Sequence, residues 1–296
     1  MKTLTIFTPT FNRKKLLEKC YQALLAQTNK DFIWLIIDDG STDGTDLMVD
    51  EWIDQAGLEI KYIYQHNQGM HGAHNTAHLN ANTPLTVCCD SDDYLAKNAV
   101  EIIVNLWNEK GNENYAGIIG NDADVYGNRL VELPNDLKET TLYDLRYKFK
   151  IRGDFKLVYR TELLREELYP LIDGEDYLAV GYKYFMIDQK YNLLVTSETL
   201  CHVDYQDNGN SANKIKKYVS SPKGFMYYRL KMMPIMHNFS TRFWQAAHYV
   251  SSSIFAKEPK FLSMTENKWT VIAALPLGIV LNLYIRFKYF QHVKIN

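Results

Sequence analysis

The first ninety residues alternate between strand-like and helix-like segments so regularly that one class of fold accounts for them. A β-rich run, "TLTIF" from Thr3 to Phe7, stops at "TPT", where Pro9 withdraws a ladder donor on one side. The next stretch, "RKKLLEKCYQALLAQT", sets Leu16, Leu17, Cys20, Leu24 and Leu25 on one face at helical spacing, with Asn12 expected as its N-cap. "FIWLIIDDGSTDGT" then reads as a fully buried strand that breaks at Asp38 and Asp39 into a loop of Gly, Ser and Thr. An amphipathic helix with Gly57 as its stop, a third strand "EIKYIYQ", a third helix "MHGAHNTAHLNAN" and a fourth strand "PLTVCC" follow. Strands and helices joined by short connections predict a mostly parallel α/β sheet. Ligands of such sheets sit at the carboxyl ends of the strands, and "FTPTFN", "DDGSTD" and "DSDD" all fall at such ends. Motifs far apart in sequence are therefore expected to line one cleft.

The last of these motifs poses a charge problem. In "VCCDSDDYL" a short apolar run meets Asp90, Asp92 and Asp93. Like charges about 4 Å apart repel by about 1 kcal/mol in bulk water and by about 4 kcal/mol near a protein surface. Carboxylates fixed at the end of a buried strand therefore call for a cation or a hydrogen-bonded ligand between them. The chain as a whole supplies no basic field: a formal net charge of −2 argues against nucleic acid as a partner. Cys20, Cys88, Cys89 and Cys201 lack metal or redox spacing and are expected to be reduced and structural, as in an intracellular protein. "MKTLTIFTPTFNRK" does not read as a secretory signal, so a cytoplasmic location is expected.

Residues 96 to 213 are less regular. They hold a helix "NAVEIIVNLWNEK", strands "YAGIIGND", "DFKLVYR" and "YNLLVT", the acidic turn "DGEDY", and the polar run "CHVDYQDNGNSAN". From Ser220 onward Met, Tyr and Phe recur at helical spacing, with few acidic residues before Lys257. There is room for one sizeable domain, or one domain with an appendage.

Taken in order, "TIFTPTFNR", "IIDDGSTDGT", "QHNQGMHGAHNTA" and "CCDSDD" resemble the GT-A fold, family 2 glycosyltransferases of bacterial surface-polysaccharide type, strongly over residues 1 to 110 and more weakly over 150 to 213. The resemblance implies a Rossmann-like, mostly parallel sheet flanked by helices. It divides the chain into a catalytic domain at 1–219, with a nucleotide-binding half at 1–95 and an acceptor half at 96–219, and a helical C-terminal region at 220–296. It places Thr8, Pro9, Thr10, Phe11 and Arg13 around the nucleoside and makes Asp39 the acceptor for a base N–H, which suits uracil. One of Asp38 and Asp39 is expected only to cap the turn, and Asp43 and Thr45 to shape the loop. Asn67, Gly69 and Asn75 match the segment that runs towards the donor. Met70 stands where relatives often carry Lys, leaving His71 or Arg13 to meet the diphosphate.

By the same resemblance Asp90 and Asp92 form the D-x-D element. Asp90 reaches the ribose or shares the metal, and Asp92 binds Mn²⁺ or Mg²⁺ bridging the phosphates of the nucleotide-sugar. Asp93 is left as a supporting residue or a helix cap. In "GEDY", Asp176 is assigned as general base of an inverting transfer and Glu175 as a supporting residue, acceptor contact or alternative base. The later run "YQDNGNSAN" corresponds to a loop closing over the diphosphate, with His202 as a further metal or phosphate contact. His74 and His78, at i and i+4, have the spacing of a metal pair but no third ligand, and are read as structural or surface residues.

The apolar run 270–285 is shorter than the roughly twenty residues a spanning helix needs and contains Pro276 and Gly278. The readings left are a helix lying in the membrane interface, anchored by the basic and aromatic residues of "RFKYFQHVK", and a helix packed on the catalytic domain. The first implies peripheral contact with the inner membrane through 270–294, at the cytoplasmic face, and an acceptor that is a lipid-linked saccharide. Two other functions fit less of the chain. A nucleotidyltransferase would want a glycine-rich phosphate loop where "TPTFNRKK" has none, and a non-catalytic nucleotide-sugar-binding or scaffold protein would not need both the metal and base carboxylates.

Overall fold

The computed structural model describes residues 2–134, 136–204 and 214–295. In chain order the elements are β1 (Leu4–Thr10), α1 (Lys14–Leu25), β2 (Phe32–Asp38), α2 (Thr45–Asp54), β3 (Ile60–Tyr64), α3 (Gly69–Asn80), β4 (Leu85–Cys88), β5 (Tyr94–Leu95), α4 (Ala99–Lys110), β6 (Tyr115–Asp124), β7 (Glu139–Thr140), β8 (Phe155–Arg160), α5 (Thr161–Arg165), α6 (Tyr182–Ile187), β9 (Asn192–Val203), α7 (Lys214–Ser220), α8 (Pro222–Ile235), α9 (Phe239–Ala256) and α10 (Lys268–Ile295). They gather into two compact units, one of Met1–Leu168 with Lys190–Gln206, the other of Tyr169–Gln189 with Asp207–Asn296. The boundary at 219/220 drawn from sequence differs from this partition, because the segment carrying "GEDY" groups with the C-terminal helices.

The first unit is built on a nine-stranded sheet of order β3-β2-β1-β4-β8-β6-β9-β5, with β7 paired to β9. Strands β1 to β4 are parallel: β1 pairs with β2 and β4, and β2 with β3. Beyond them the sheet is mixed, since β8 runs antiparallel to β4 and β6 while β6 and β9 are parallel. Every residue of β2 is buried. Its side chains alternate between faces: Trp34 and Ile36 join Leu17, Cys20, Leu24, Val49 and Val100 on one side, and Leu35 and Ile37 join Phe7, Ala73 and Ala77 on the other. Tyr21 stacks on Trp52 with ring centroids 4.2 Å apart, fastening α1 to α2 over the sheet.

Two helix ends depart from the sequence reading. Asn12 does not cap α1, which has Arg13 at the N-cap position with no cap from that residue's own side chain. α2 ends at Asp54, and the left-handed residue after it is Ala56 rather than Gly57.

The second unit is helical. α9 packs on both α8 and α10. α10 runs through Pro276 without a break and is longer than the expected run, so that Lys268–Gln291 is long and apolar enough to cross a membrane by length and composition.

Candidate active site

The carboxyl ends of β1, β2 and β4 are neighbours, because Thr10 pairs with Asp38 and Phe7 with Cys88. Pairing between β1 and β4 stops at Phe7, two residues before Pro9, while pairing with β2 continues to Thr10. The proline thus frees one side of the β1 end and leaves the other attached. Side chains then tie the loops together. Asn12, in a left-handed conformation, accepts from the Thr42 backbone N–H at 2.8 Å, and Asp43 accepts from the Lys14 backbone N–H at 3.0 Å, so the loop after β2 supplies the α1 cap that Asn12 does not. Asp38 spends one oxygen on the Ser41 N–H and the other on the Tyr62 hydroxyl, both at 2.7 Å. It is therefore the turn-capping member of the pair.

Asp39 is buried and differently held. Its Oδ1 accepts from Gln65 Nε2 at 2.7 Å and from the Gln68 backbone N–H at 2.9 Å. Burial pushes its carboxyl pKa up, with these donors and the Gly69 N–H pulling the other way. Gly69 opens α3 with φ of 75°, a conformation that favours glycine, and its N–H donates to Asn67 Oδ1 at 3.2 Å. Asn75 is half-buried on the same helix. His74 and His78 are buried beneath the sheet and meet Phe7 edge-on at 4.9 and 5.6 Å between centroids, which makes them packing residues.

Of the β1 residues expected around the nucleoside, Phe11 is 47% exposed and Pro9 half-buried. Thr10 is buried, with its hydroxyl unpartnered among the described residues. Thr8 requires a correction. It is fully buried, and its hydroxyl accepts the Trp34 indole N–H at 2.9 Å, so its side chain belongs to the core under the site.

The acidic loop after β4 answers its own charge problem partly from within. Arg13 Nη1 sits 3.0 Å from Asp92 Oδ2, joining the loop after β1 to the acidic loop. Burial pushes the Asp92 carboxyl up, Arg13 lowers it, and Asp90 raises it again. Asp90 is half-buried and accepts from the Cys88 thiol at 3.4 Å. Asp93 does not cap α4. It lies 3.8 Å from Lys156 Nζ, and its carboxyl is pushed up to about 7 by burial, against the lysine. Lys156 Nζ also donates to the Cys88 carbonyl at 3.4 Å. Burial disfavours its charge, but Cys201, Asp122 and Asp93 more than offset this and hold its pKa above the ordinary lysine value. Asp122, on β6, is itself raised to about 6 by burial. Sequence reasoning overlooked Lys156, Asp122 and Gln65. The signal for the first was a single lysine inside the apolar strand "DFKLVYR", where a cation is costly unless paired.

Asp90 and Asp92 offer hard oxygen donors, and the upward shift at Asp92 is one that a divalent cation would relieve. No group of three or more His, Cys, Asp or Glu side chains is arranged to hold a metal among the described residues. The donor set therefore fits an ion such as Mg²⁺ or Mn²⁺ that takes one or two carboxylates and fills its shell with phosphate oxygens and water.

In the second unit, Glu175 has both oxygens on the start of α8, accepting from the Lys223 and Gly224 backbone N–H groups at 2.9 and 2.8 Å. It caps that helix. Asp176 is ion-paired to Lys217 at 2.7 Å and accepts from the Ser221 hydroxyl at 3.2 Å. Burial raises its pKa, but Lys217 and Ser221 bring it below the ordinary carboxylate value. His202, in the first unit, stacks on Tyr94 at 5.1 Å and lies 3.1 Å from the Asp124 carbonyl, so one ring nitrogen is committed to the backbone. The run Tyr205–Asn213, read as a diphosphate loop, lies outside the described residues.

A half-parallel, half-mixed sheet flanked by helices, with acidic loops at the carboxyl edge of its parallel half, defines a GT-A fold. Residues 5–168 match glycosyl transferase family 2, and the chain belongs to that family. A Campylobacter jejuni GalNAc(5)-diNAcBac-PP-undecaprenol beta-1,3-glucosyltransferase is 30% identical over 173 residues, which are 56% of this chain and 54% of that protein. A Staphylococcus epidermidis teichoic acid poly(glycerol phosphate) polymerase is 31% identical over 109 residues, 36% of this chain and 15% of that protein. The chain thus spans about half, or less, of the length of these relatives. Among solved structures, S. aureus TarS 1-349 in complex with UDP-GlcNAc superposes with a TM-score of 0.62 at 17% identity, over 99% of this chain and 92% of that one. The mannosyltransferase PcManGT from Pyrobaculum calidifontis, in complex with GDP-Man and Mn²⁺, gives 0.56 at 19% identity over 95% and 87%.

Proposed function

We propose that this chain transfers one sugar, with inversion, from a nucleotide-sugar to a saccharide or lipid-linked saccharide acceptor in surface-polysaccharide synthesis, at the cytoplasmic face of the inner membrane, with peripheral contact through 270–294. The observation that carries the reading is the knitting of three strand ends in one unit, with Asp39 held by Gln65 and Asp92 held by Arg13. Asp39 accepts the base N–H, which favours a UDP-sugar, and Thr10, with its unpartnered hydroxyl, together with Pro9, Phe11, Asn67, Gly69 and Asn75, surrounds the nucleotide. Asp90 and Asp92 hold Mn²⁺ or Mg²⁺, which when bound neutralises charge growing on the departing diphosphate. Arg13 brings a second positive charge to the same place. Asp176 takes the proton from the attacking acceptor hydroxyl; it is ionised at neutral pH, and its pairing with Lys217 lowers its pKa against the opposing effect of burial. Glu175 fixes the turn on which Asp176 stands.

Nucleotide release from a panel of UDP-, GDP- and dTDP-sugars, in Mn²⁺, Mg²⁺ or EDTA, tests this. The expected result is slow hydrolysis of one donor that needs the metal and falls about a hundred- to a thousandfold in Asp92→Ala, by analogy with removing one charge-stabilising group. Asp176→Asn is expected to retain donor binding while losing turnover. Donor binding without turnover, unchanged by EDTA and by Asp92→Ala, would replace the transferase reading with that of a binding protein.

A further inference from the structure

The two expectations for the C-terminal segment, buried packing and an interfacial helix, concern opposite faces of α10. Val271, Ala274, Gly278, Asn282 and Ile285, at helical spacing, form its buried face. At Gly278 a Cβ would come within 2.5 Å of Val250 and 2.9 Å of the Ala247 carbonyl, so the close approach to α9 needs glycine. Asn282 Nδ2 donates to the Ser251 carbonyl at 3.1 Å, and its Oδ1 accepts from Arg286 Nε at 2.8 Å. The opposite face is apolar and bare: Ile272, Ile279, Val280, Leu283, Phe287 and Phe290 are all exposed, Leu283 by 61% and Phe287 by 60%. From Ile272 to Phe290 this face runs about 27 Å at 1.5 Å per residue. That is too long and continuous for the scattered apolar exposure ordinary on a protein surface.

Resting on the peripheral contact proposed above, we infer that α10 lies in the plane of an anionic phospholipid surface, outer face down and inner face still on α9, rather than crossing the bilayer. A spanning helix would have to leave α9, or draw α9 into hydrocarbon with the polar Arg242 and Gln245 it carries, at the cost of Asn282 and its backbone partner. In plane, Trp269 (83% exposed) and Tyr284 stand at headgroup depth, and Lys268, Arg286 and Lys288 meet the phosphates. Charge also argues against a second copy as the occupant. From Lys268 to Ile295 the sequence contains no Asp or Glu, so two such faces together would set cations against cations with no carboxylate between.

The test is flotation of the full chain with vesicles of phosphatidylcholine alone or of phosphatidylcholine mixed equally with phosphatidylglycerol, followed by alkaline carbonate washing. Expected are preferential binding to the anionic vesicles, release by carbonate, and a loss of about tenfold or more for the double variant Leu283→Glu, Phe287→Glu. Arg286→Gln with Lys288→Gln should weaken the anionic preference by about fivefold per charge while leaving neutral-vesicle binding unchanged. Both glutamates fall on exposed positions, and an unchanged thermal midpoint verifies folding. Resistance to carbonate would establish a spanning helix and overturn the inference. So would absence of vesicle binding, whether the chain is monomeric or a dimer that the glutamates dissociate. Donor hydrolysis measured in vesicle-free buffer separates the two claims: turnover without vesicle binding sinks the membrane face alone, and binding without turnover sinks the transferase reading alone.

Discussion

The loop after β4 and the turn before α6 carry similar acidic sequences, "DSDD" and "GEDY", and the fold treats them in opposite ways. In the first, burial raises the carboxyls of Asp92 and Asp93, and Arg13 and Lys156 only partly relieve it. In the second, Asp176 is largely exposed and Lys217 and Ser221 take it below the ordinary carboxylate value, while Glu175 is absorbed by a helix N-terminus. Residue type does not set the charge state of these carboxylates; burial and the partners each one finds do. A buried, repelling cluster gains from a divalent ion, whereas the exposed pair is already satisfied by a lysine and a helix N-terminus. The comparison also separates two ways of holding a loop, by buried charge in one unit and by helix capping in the other.

The sharpest way to break this contrast is Lys156→Met, which leaves Asp93 and Asp122 buried without their lysine. A loss of about 3–5 kcal/mol in urea-induced unfolding is expected, as for one partner removed from a buried pair. The loss should be smaller at pH 5 than at pH 8. Both carboxyls have folded pKa values above the unfolded ones, about 7 and about 6, so their protonation favours the folded state and its benefit disappears as pH rises through those values. A variant as stable as the wild type at pH 8 would mean that Lys156 is not the loop's counter-charge.

A smaller effect is expected in the turn of the second unit. Glu175→Gln should cost about 1 kcal/mol of stability, the usual value of a lost cap, with donor turnover retained. If turnover collapsed while stability held, Glu175 and not Asp176 would be the base. Smallest in amplitude but most specific is Lys217→Met, which removes the cation that holds Asp176 down. The acid limb of the transfer rate should move to higher pH, with little change at the plateau. An unmoved limb would detach Asp176 from the proton transfer.

The strand-end loops of the candidate site were legible because they lie between period-2 and period-3.6 elements with turn chemistry at their ends. "FIWLIID" could only be a strand buried on both faces, and its break into "DGSTD" put Asp39 at a carboxyl end. What failed were local assignments with a distant competitor. Asn12 has the type of an N-cap, but Asp43 reaches back across the loop to the first helical N–H. Thr8 sits one residue before Pro9 in a strand end read as pocket-lining, yet the alternation of the strand turns it towards Trp34. Asp93 looked like a helix cap and is the partner of a lysine more than sixty residues away.

The sequence by itself determined the parallel half of the sheet, the positions of its acidic loops and the family, since these follow from hydrophobic period, strand-end punctuation and the order of four motifs. Tertiary structure alone decided which carboxylates are desolvated, which are capped or paired, and which face of α10 is spent on α9. Those outcomes depend on burial and on partners far along the chain, and local residue pattern encodes neither.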